Sequence, residues 1–306
     1  MNGFALLLAA TLAAGTPLAL AALGLLVNER VGVINLGAEG LMLISAVTGF
    51  AVAVNTGSPW LAFAAGAASS ALVAIAFGWL VIWLNANQYA TGLAVSLFGG
   101  GFSAFVGASY VGRKLGLELN HAVPGLGRIP FFGAALFREH PVVYLAVALG
   151  VFLNWFFWKT RAGLVLRAIG ESPDAAHALG YRVRRLRLAA VVVGGALCGL
   201  AGTFLSVAYT PLWVEGMVAG RGWIALALTV FATWRPGRVL LGAYLFGGVT
   251  MLQLTLQAQG VHLPAEFMSM LPYLATVLVL VLISRNPAWI RLNMPSSLGK
   301  PFFPTQ

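Results

Sequence analysis

Few residues in this chain have side chains able to do chemistry. Asp174 is the only aspartate and Cys198 the only cysteine among 306 residues, and the histidines are His121, His140, His177 and His262. Hydrolysis or proton relay within a membrane needs ionisable groups at membrane depth, and only Glu39 falls there. Neither H-E-x-x-H nor G-x-S-x-G occurs, and no acidic pair shares an apolar stretch. Cys198 alone offers neither a disulfide nor a cysteine metal site. The chemistry of an enzyme is therefore not expected, and no catalytic, metal or cofactor residue is assigned. The P-loop pattern G-x-x-x-x-G-K-S/T is absent too, so ATP is not bound by this chain through that device. What remains is uncharged: Asn35, Asn85, Asn87, Gln88, Ser96, Thr229, Gln253 and Gln257. Ion-coupled carriers commonly place charged groups at mid-membrane. Their scarcity here places any transport energy in a partner.

These residues must be carried by membrane helices. The chain is 60% hydrophobic and 8% charged, with a mean hydropathy of +0.90. A soluble domain carries about 25% charged residues, so an all-α polytopic membrane protein is expected. Apolar stretches run over 3–27, 31–54, 60–84, 89–111, 141–158, 188–210, 239–256 and 271–284, with a half-length one over 223–233. The first is read as a retained helix, because Met1 and Asn2 supply no basic leader. No linker or low-complexity run interrupts the sequence, so residues 1–306 are read as one membrane domain.

A net charge of +10 would suggest nucleic acid in a soluble protein; in a membrane protein it sets topology. Alternating the sides of the nine segments puts thirteen of the eighteen Lys and Arg on one face and five on the other. The positive-inside rule then predicts an external N-terminus, a cytoplasmic loop over 159–187 and a cytoplasmic tail over 285–306. The lipid bilayer, not nucleic acid, is the expected surroundings.

The loop over 159–187 is the most informative segment. Ser172-Pro173-Asp174 reads as a helix start: a cap, a proline at the first helical position and an acid in the first turn. Gly180 reads as its stop. The basic run over 182–187 alone reads as a solvated, topology-setting charge cluster. Together with the residues before it, the stretch Asp174-Ala175-Ala176-His177-Ala178-Leu179-Gly180 resembles the E-A-A-x-x-x-G loop of ABC importer permeases, with Asp in place of Glu. The resemblance implies that Gly170, Glu171, Ser172, Pro173, Asp174, Ala175, Ala176 and Gly180 couple the chain to an ATPase subunit.

Two further stretches narrow the resemblance. Residues 29–42, E-R-V-G-V-I-N-L-G-A-E-G-L-M, are similar to the opening of the second helix in permeases of the ribose and branched-chain amino acid group. The E-G-x-M ending resembles the branch that serves nucleosides through basic-membrane-protein-type binding lipoproteins. Residues 220–227 and 234–238 are similar to that branch's late half-helix and turn. The similarity covers roughly residues 28–284. It implies a bacterial inner-membrane importer with an ATPase subunit, a second and different permease, and an extracytoplasmic binding lipoprotein. Nucleosides are the implied solute, with simple sugars or branched-chain amino acids as the alternative.

Asn35, Glu39, Asn87, Gln88 and Tyr89 are candidates for the translocation path. Glu39 has two readings that stand level, a hydrogen-bonding group between helices or a path-lining acid. Gly220, Arg221 and Gly222 precede the half-length helix and are read as a gate or bend, with free amides pointing into the membrane domain. Tyr89, Trp79, Trp83 and Phe98 are aromatic enough to stack on a base, although lipid anchoring and packing explain them as well.

Overall fold

The computed structural model describes residues 3–116, 137–259 and 293–303, with isolated positions between 267 and 281. Apolar runs fold as helices in a bilayer because each backbone group finds its partner within the same segment. The helices are α1 (Gly3–Arg30), α2 (Ala38–Thr56), α3 (Pro59–Ile82), α4 (Gln88–Gly107) and α5 (Pro141–Lys159). They are followed by α6 (Arg161–Glu171), α7 (Pro173–Ala178), α8 (Val183–Thr203), α9 (Arg221–Phe231) and α10 (Pro236–Ala258). A π-helical turn, Phe204–Tyr209, prolongs α8. Seven of these helices are long and apolar enough to cross a membrane, and α9 is a shorter apolar one. No strand occurs among the described residues; a single bridge pairs Lys114 with Leu212.

α1 is the axis of the bundle. Every residue from 14 to 33 is buried, as expected of a helix apolar all round. It packs against α8, α9 and α10, while α8 packs in turn against α2 and α3. α4 leans chiefly on α2. Close packing in lipid relies on small residues: a Cβ on Gly99 of α4 would collide with the backbone of Gly40 in α2. The outer sides of α4 and α10 stay bare, with Phe105 83% and Leu241 74% exposed.

Several boundaries differ from the hydropathy reading. The second helix begins at Ala38 rather than at residue 31, because residues 31–37 are unwound and their polar groups are held from outside the helix. α1 runs on to Arg30, since Glu29 and Arg30 find buried partners. The loop over 159–187 holds two helices, and residues 183–187 form the first turn of α8. Arg187 is 3% exposed, so this arginine is not part of a solvated charge cluster. The predicted segment over 271–284 lies largely outside the described residues, as do His121, Arg128, His262 and residues 285–292.

Candidate functional site

The unwound stretch 31–37 lies between α1 and α2, and side chains from α4 complete its hydrogen bonding. The Ile34 N–H donates to Gln88 Oε1 at 2.8 Å, and Ser96 Oγ donates to the Leu36 carbonyl at 2.8 Å. Asn35 Oδ1 accepts the Gly37 N–H at 2.8 Å and so shapes the turn into α2. Buried backbone without a helical ladder survives only with such partners.

One turn into α2, Glu39 faces the start of the half-length helix. Its Oε1 accepts the Gly220 N–H at 2.8 Å and its Oε2 the Gly222 N–H at 2.7 Å. Gly220 has φ +81°, a left-handed conformation in which a glycine costs little, and no side chain of its own caps α9. A carboxylate therefore satisfies two amides at the positive end of α9. These two amides are not free, contrary to the sequence expectation, and Glu39 is the reason. The Arg221 guanidinium folds back onto the carbonyls of Met217 and Val218, both at 3.1 Å. Beside it, a cleft of about 170 Å³ between α1, α9 and α10 is lined by Leu18, Tyr209, Arg221, Phe246, Thr250 and Gln253.

The far end of α9 is gripped from the same connection. Thr233 and Trp234 turn the chain with φ of 49° and 53°. The Trp234 indole N–H donates to Glu29 Oε2 at 2.5 Å. The Arg30 guanidinium donates twice to the Trp234 carbonyl, at 3.0 and 2.6 Å, and once to the Asn293 carbonyl at 3.2 Å. Glu29 and Glu39, ten positions apart, thus hold opposite ends of one half-length helix.

A second group of predicted residues lies on the 159–187 loop. Ser172 caps α7, its Oγ accepting the Ala175 N–H at 3.3 Å, with Pro173 in the first turn. Pro173 and Ala176 are buried, whereas Asp174, Ala175 and Gly180 are exposed and Leu179 is 78% exposed. Gly180 follows the helix with φ +87°. Gly170 is buried, and Glu171 accepts the Ser296 hydroxyl at 2.8 Å.

The structure therefore joins Glu39 to Gly220 and Gly222, on either side of Arg221, places Asn35 and Gln88 on the unwound stretch that leads to Glu39, and keeps the loop residues apart as a second cluster. Asn87 caps α4 through the Ala90 N–H at 3.0 Å, and Tyr89 is 49% exposed with its hydroxyl beside Gly299. Trp79 and Phe98 are exposed on α3 and α4. Sequence reading gave Arg187 only a topology-setting role and residues 293–302 only a place in the cytoplasmic tail, and it named neither Glu29 nor Arg30 as a site residue. Their partners are remote in the chain, and no local pattern announces them.

The family model described as branched-chain amino acid transport system / permease component matches residues 7–282. The candidate glucose ABC transporter permease protein TsgC13 of Haloferax volcanii is 41% identical, over 95% of this chain and 95% of its own. The guanosine ABC transporter permease protein NupQ of Bacillus subtilis is 33% identical, over 95% and 96%. The nucleoside ABC transporter permease protein NupC of Lactococcus lactis is 30% identical, over 92% and 93%. No solved structure matches the chain.

Proposed function

Because the chain belongs to the family of branched-chain amino acid transport system permease components, we propose that it forms half of an ABC importer's pathway for a neutral solute bearing a sugar ring. It is an ABC transporter permease, a transport component, and the hydrolysis of ATP falls to a partner. A second, different permease would complete the pathway, and an extracytoplasmic lipoprotein would deliver the solute. The end carrying α6 and α7 would face the cytoplasm of the cell, by the positive-inside rule.

One observation carries this reading. A short capped helix stands exposed on a loop whose base is buried against the bundle. An ATPase groove can take hold of α7, and Gly170 and Glu171 give that grip a rigid footing. At the other end of the machine, the junction of Glu39 with Gly220 and Gly222 is a gate in this reading. An unwound stretch and a half-length helix meet there, in the arrangement that lets a pathway open by small shifts of either element. Asn35 and Gln88 hold the unwound stretch that leads into this junction, and in this reading they line the path together with Asn87 and Tyr89 at the start of α4.

Nucleosides are the first substrate class, supported by the relatives named for guanosine and nucleosides. Glucose is the second reading, supported by the relative at 41% identity. Both classes share a neutral ring rich in hydroxyls, which suits spans that carry few charges. The test starts with the tagged chain, purified from its native membrane with whatever accompanies it. A P-loop ATPase and a second permease are the expected companions. Uptake of labelled guanosine, uridine, glucose and leucine into liposomes holding that complex then reads the substrate. Uptake driven by a sodium or proton gradient, without ATP, would overturn the proposal.

A further inference from the structure

Residues 293–302 lie beyond the apolar helices, yet they are stitched to three parts of the basic end of the bundle. The Ser297 amide and hydroxyl both donate to the Gly170 carbonyl, at 2.9 and 2.7 Å, and the Ser296 hydroxyl donates to Glu171. Two residues on, the Gly299 N–H donates to the Gly32 carbonyl at 3.0 Å, where α1 gives way to the unwound stretch. At the near end, the Asn293 carbonyl accepts from Arg30, the same guanidinium that holds Trp234. At the far end, Phe302 is 6% exposed and meets the His177 ring of α7 edge-on at 5.7 Å. Buried Arg187 donates to Ser297 Oγ at 3.1 Å, with the Phe302 ring 6.0 Å from its guanidinium.

A segment tied only to the loop would be decoration. This one also reaches both structures that grip α9: Gly32, at the foot of the stretch leading to Glu39, and Arg30, which holds Trp234. Two of these links, Ser297 to Gly170 and Gly299 to Gly32, run from main chain to main chain, so relative motion there is passed on rather than absorbed by rotation of long side chains. The loop itself meets α1 closely, for a Cβ on Gly170 would run into the Arg30 carbonyl.

We propose that residues 293–302 are a positioning strap, which delivers a displacement of α7 to Gly32 and Arg30 and through them to both ends of α9. The proposal rests on the reading of α7 as the ATPase-docking helix. Without the strap, part of any pull on α7 is absorbed by bending between Glu171 and Ser172, and ATP is hydrolysed without commensurate transport.

The experiment uses the complete transporter in liposomes and reads solute moved per ATP hydrolysed. Ser297→Pro removes both donors to Gly170, and the ratio is expected to fall about tenfold, the loss of one to two net hydrogen bonds. The ATPase should still copurify in the parent amount. Ser297→Ala and Phe302→Ala should give smaller falls of the same kind. An unchanged ratio in these two milder variants, each assembled normally, would overturn the proposal even where the proline variant fails to insert. Asp174→Arg tests the underlying docking reading separately. Loss of the ATPase from the purified complex supports that reading, and full retention with normal transport removes it, whatever the strap variants show.

Discussion

The Glu39 carboxylate and the Gly222 amide, 183 positions apart in the chain, meet at 2.7 Å, and the other oxygen of the same carboxylate holds Gly220. A buried amide left without an acceptor costs about 1–3 kcal/mol. Glu39→Ala orphans the buried Gly222 amide and the half-buried Gly220 amide, and should lower the thermal midpoint in detergent by several degrees, with a loss of transport. Glu39→Gln keeps one carbonyl acceptor and should fall between the parent and the alanine variant. Equal midpoints for all three would show that water replaces the carboxylate at no cost.

Space at that junction is as restrictive as its hydrogen bonding. A Cβ on Gly222 would press into the Glu39 backbone, whereas one on Gly237, at the start of α10, meets nothing within 4 Å. Gly222→Ala should therefore cut uptake at least tenfold, and Gly237→Ala should leave it within about twofold, on a scale where 1.4 kcal/mol is tenfold. Similar uptake by the two variants would mean that the junction has room to move apart.

Trp234 and Glu29 form the matching clamp at the other end of α9. Trp234→Phe keeps the bulk but withdraws the indole N–H, at a cost of roughly 1–3 kcal/mol for the carboxylate left behind. Glu29→Gln retains an acceptor and should cost less. Unfolding midpoints for both single variants and the pair give the coupling energy directly; additive losses would show that the two side chains act independently.

Loss of the Ser172 cap should cost α7 about 1 kcal/mol. Ser172→Ala is expected to reduce the ATPase recovered with the chain, and Gly180→Pro should reduce it further, since proline cannot adopt the φ of +87° found there. Ser58→Ala removes a cap of the same kind from α3, far from the loop. It should leave recovery of the ATPase unchanged, and equal losses in the two cap variants would point to general instability.

Orientation is open to a labelling test, because Cys198, the only native cysteine, is fully buried. Val111 is 64% exposed beyond α4, and Ala178 is exposed on α7. In intact cells a membrane-impermeant maleimide should modify Val111→Cys and spare Ala178→Cys until the membrane is opened. The reverse pattern would invert the topology.

Hydropathy made the long helices legible, because burial in lipid demands an apolar run of fixed length. Local capping chemistry made α7 legible down to Ser172 and Pro173. The α6 helix was also written in the chain, as Ala162, Val165, Leu166 and Ile169 at helical spacing. Its apolar stripe is short and lies beside Arg161 and Arg167, so its mean hydropathy stays far below that of a span. The unwinding at 31–37 was only hinted at by Asn35 and Gly37, since an apolar run looks alike whether or not its first turns are helical. Glu29 and Arg30 looked like the end of a span because charges usually are. Only partners about 205 and 263 positions away explain their burial, and nothing nearby in the sequence encodes such distances.

The approach of Gly170 to the Arg30 carbonyl carries one more implication. It is a contact of main chain with main chain, and it depends on the absence of a side chain on one partner, not on the identity of the side chain on the other. Ser297 reaches Gly170, and Gly299 reaches Gly32, by the same kind of atom. A linkage built this way has almost no chemical alphabet. These three contacts survive many changes in the side chains around them, provided that Gly32, Gly170 and Gly299 stay in place, whereas the side-chain links of Ser297, Phe302 and Arg30 do not. Subunits with few residues in common could thus transmit force along the same route, and comparisons of side chains would not reveal it.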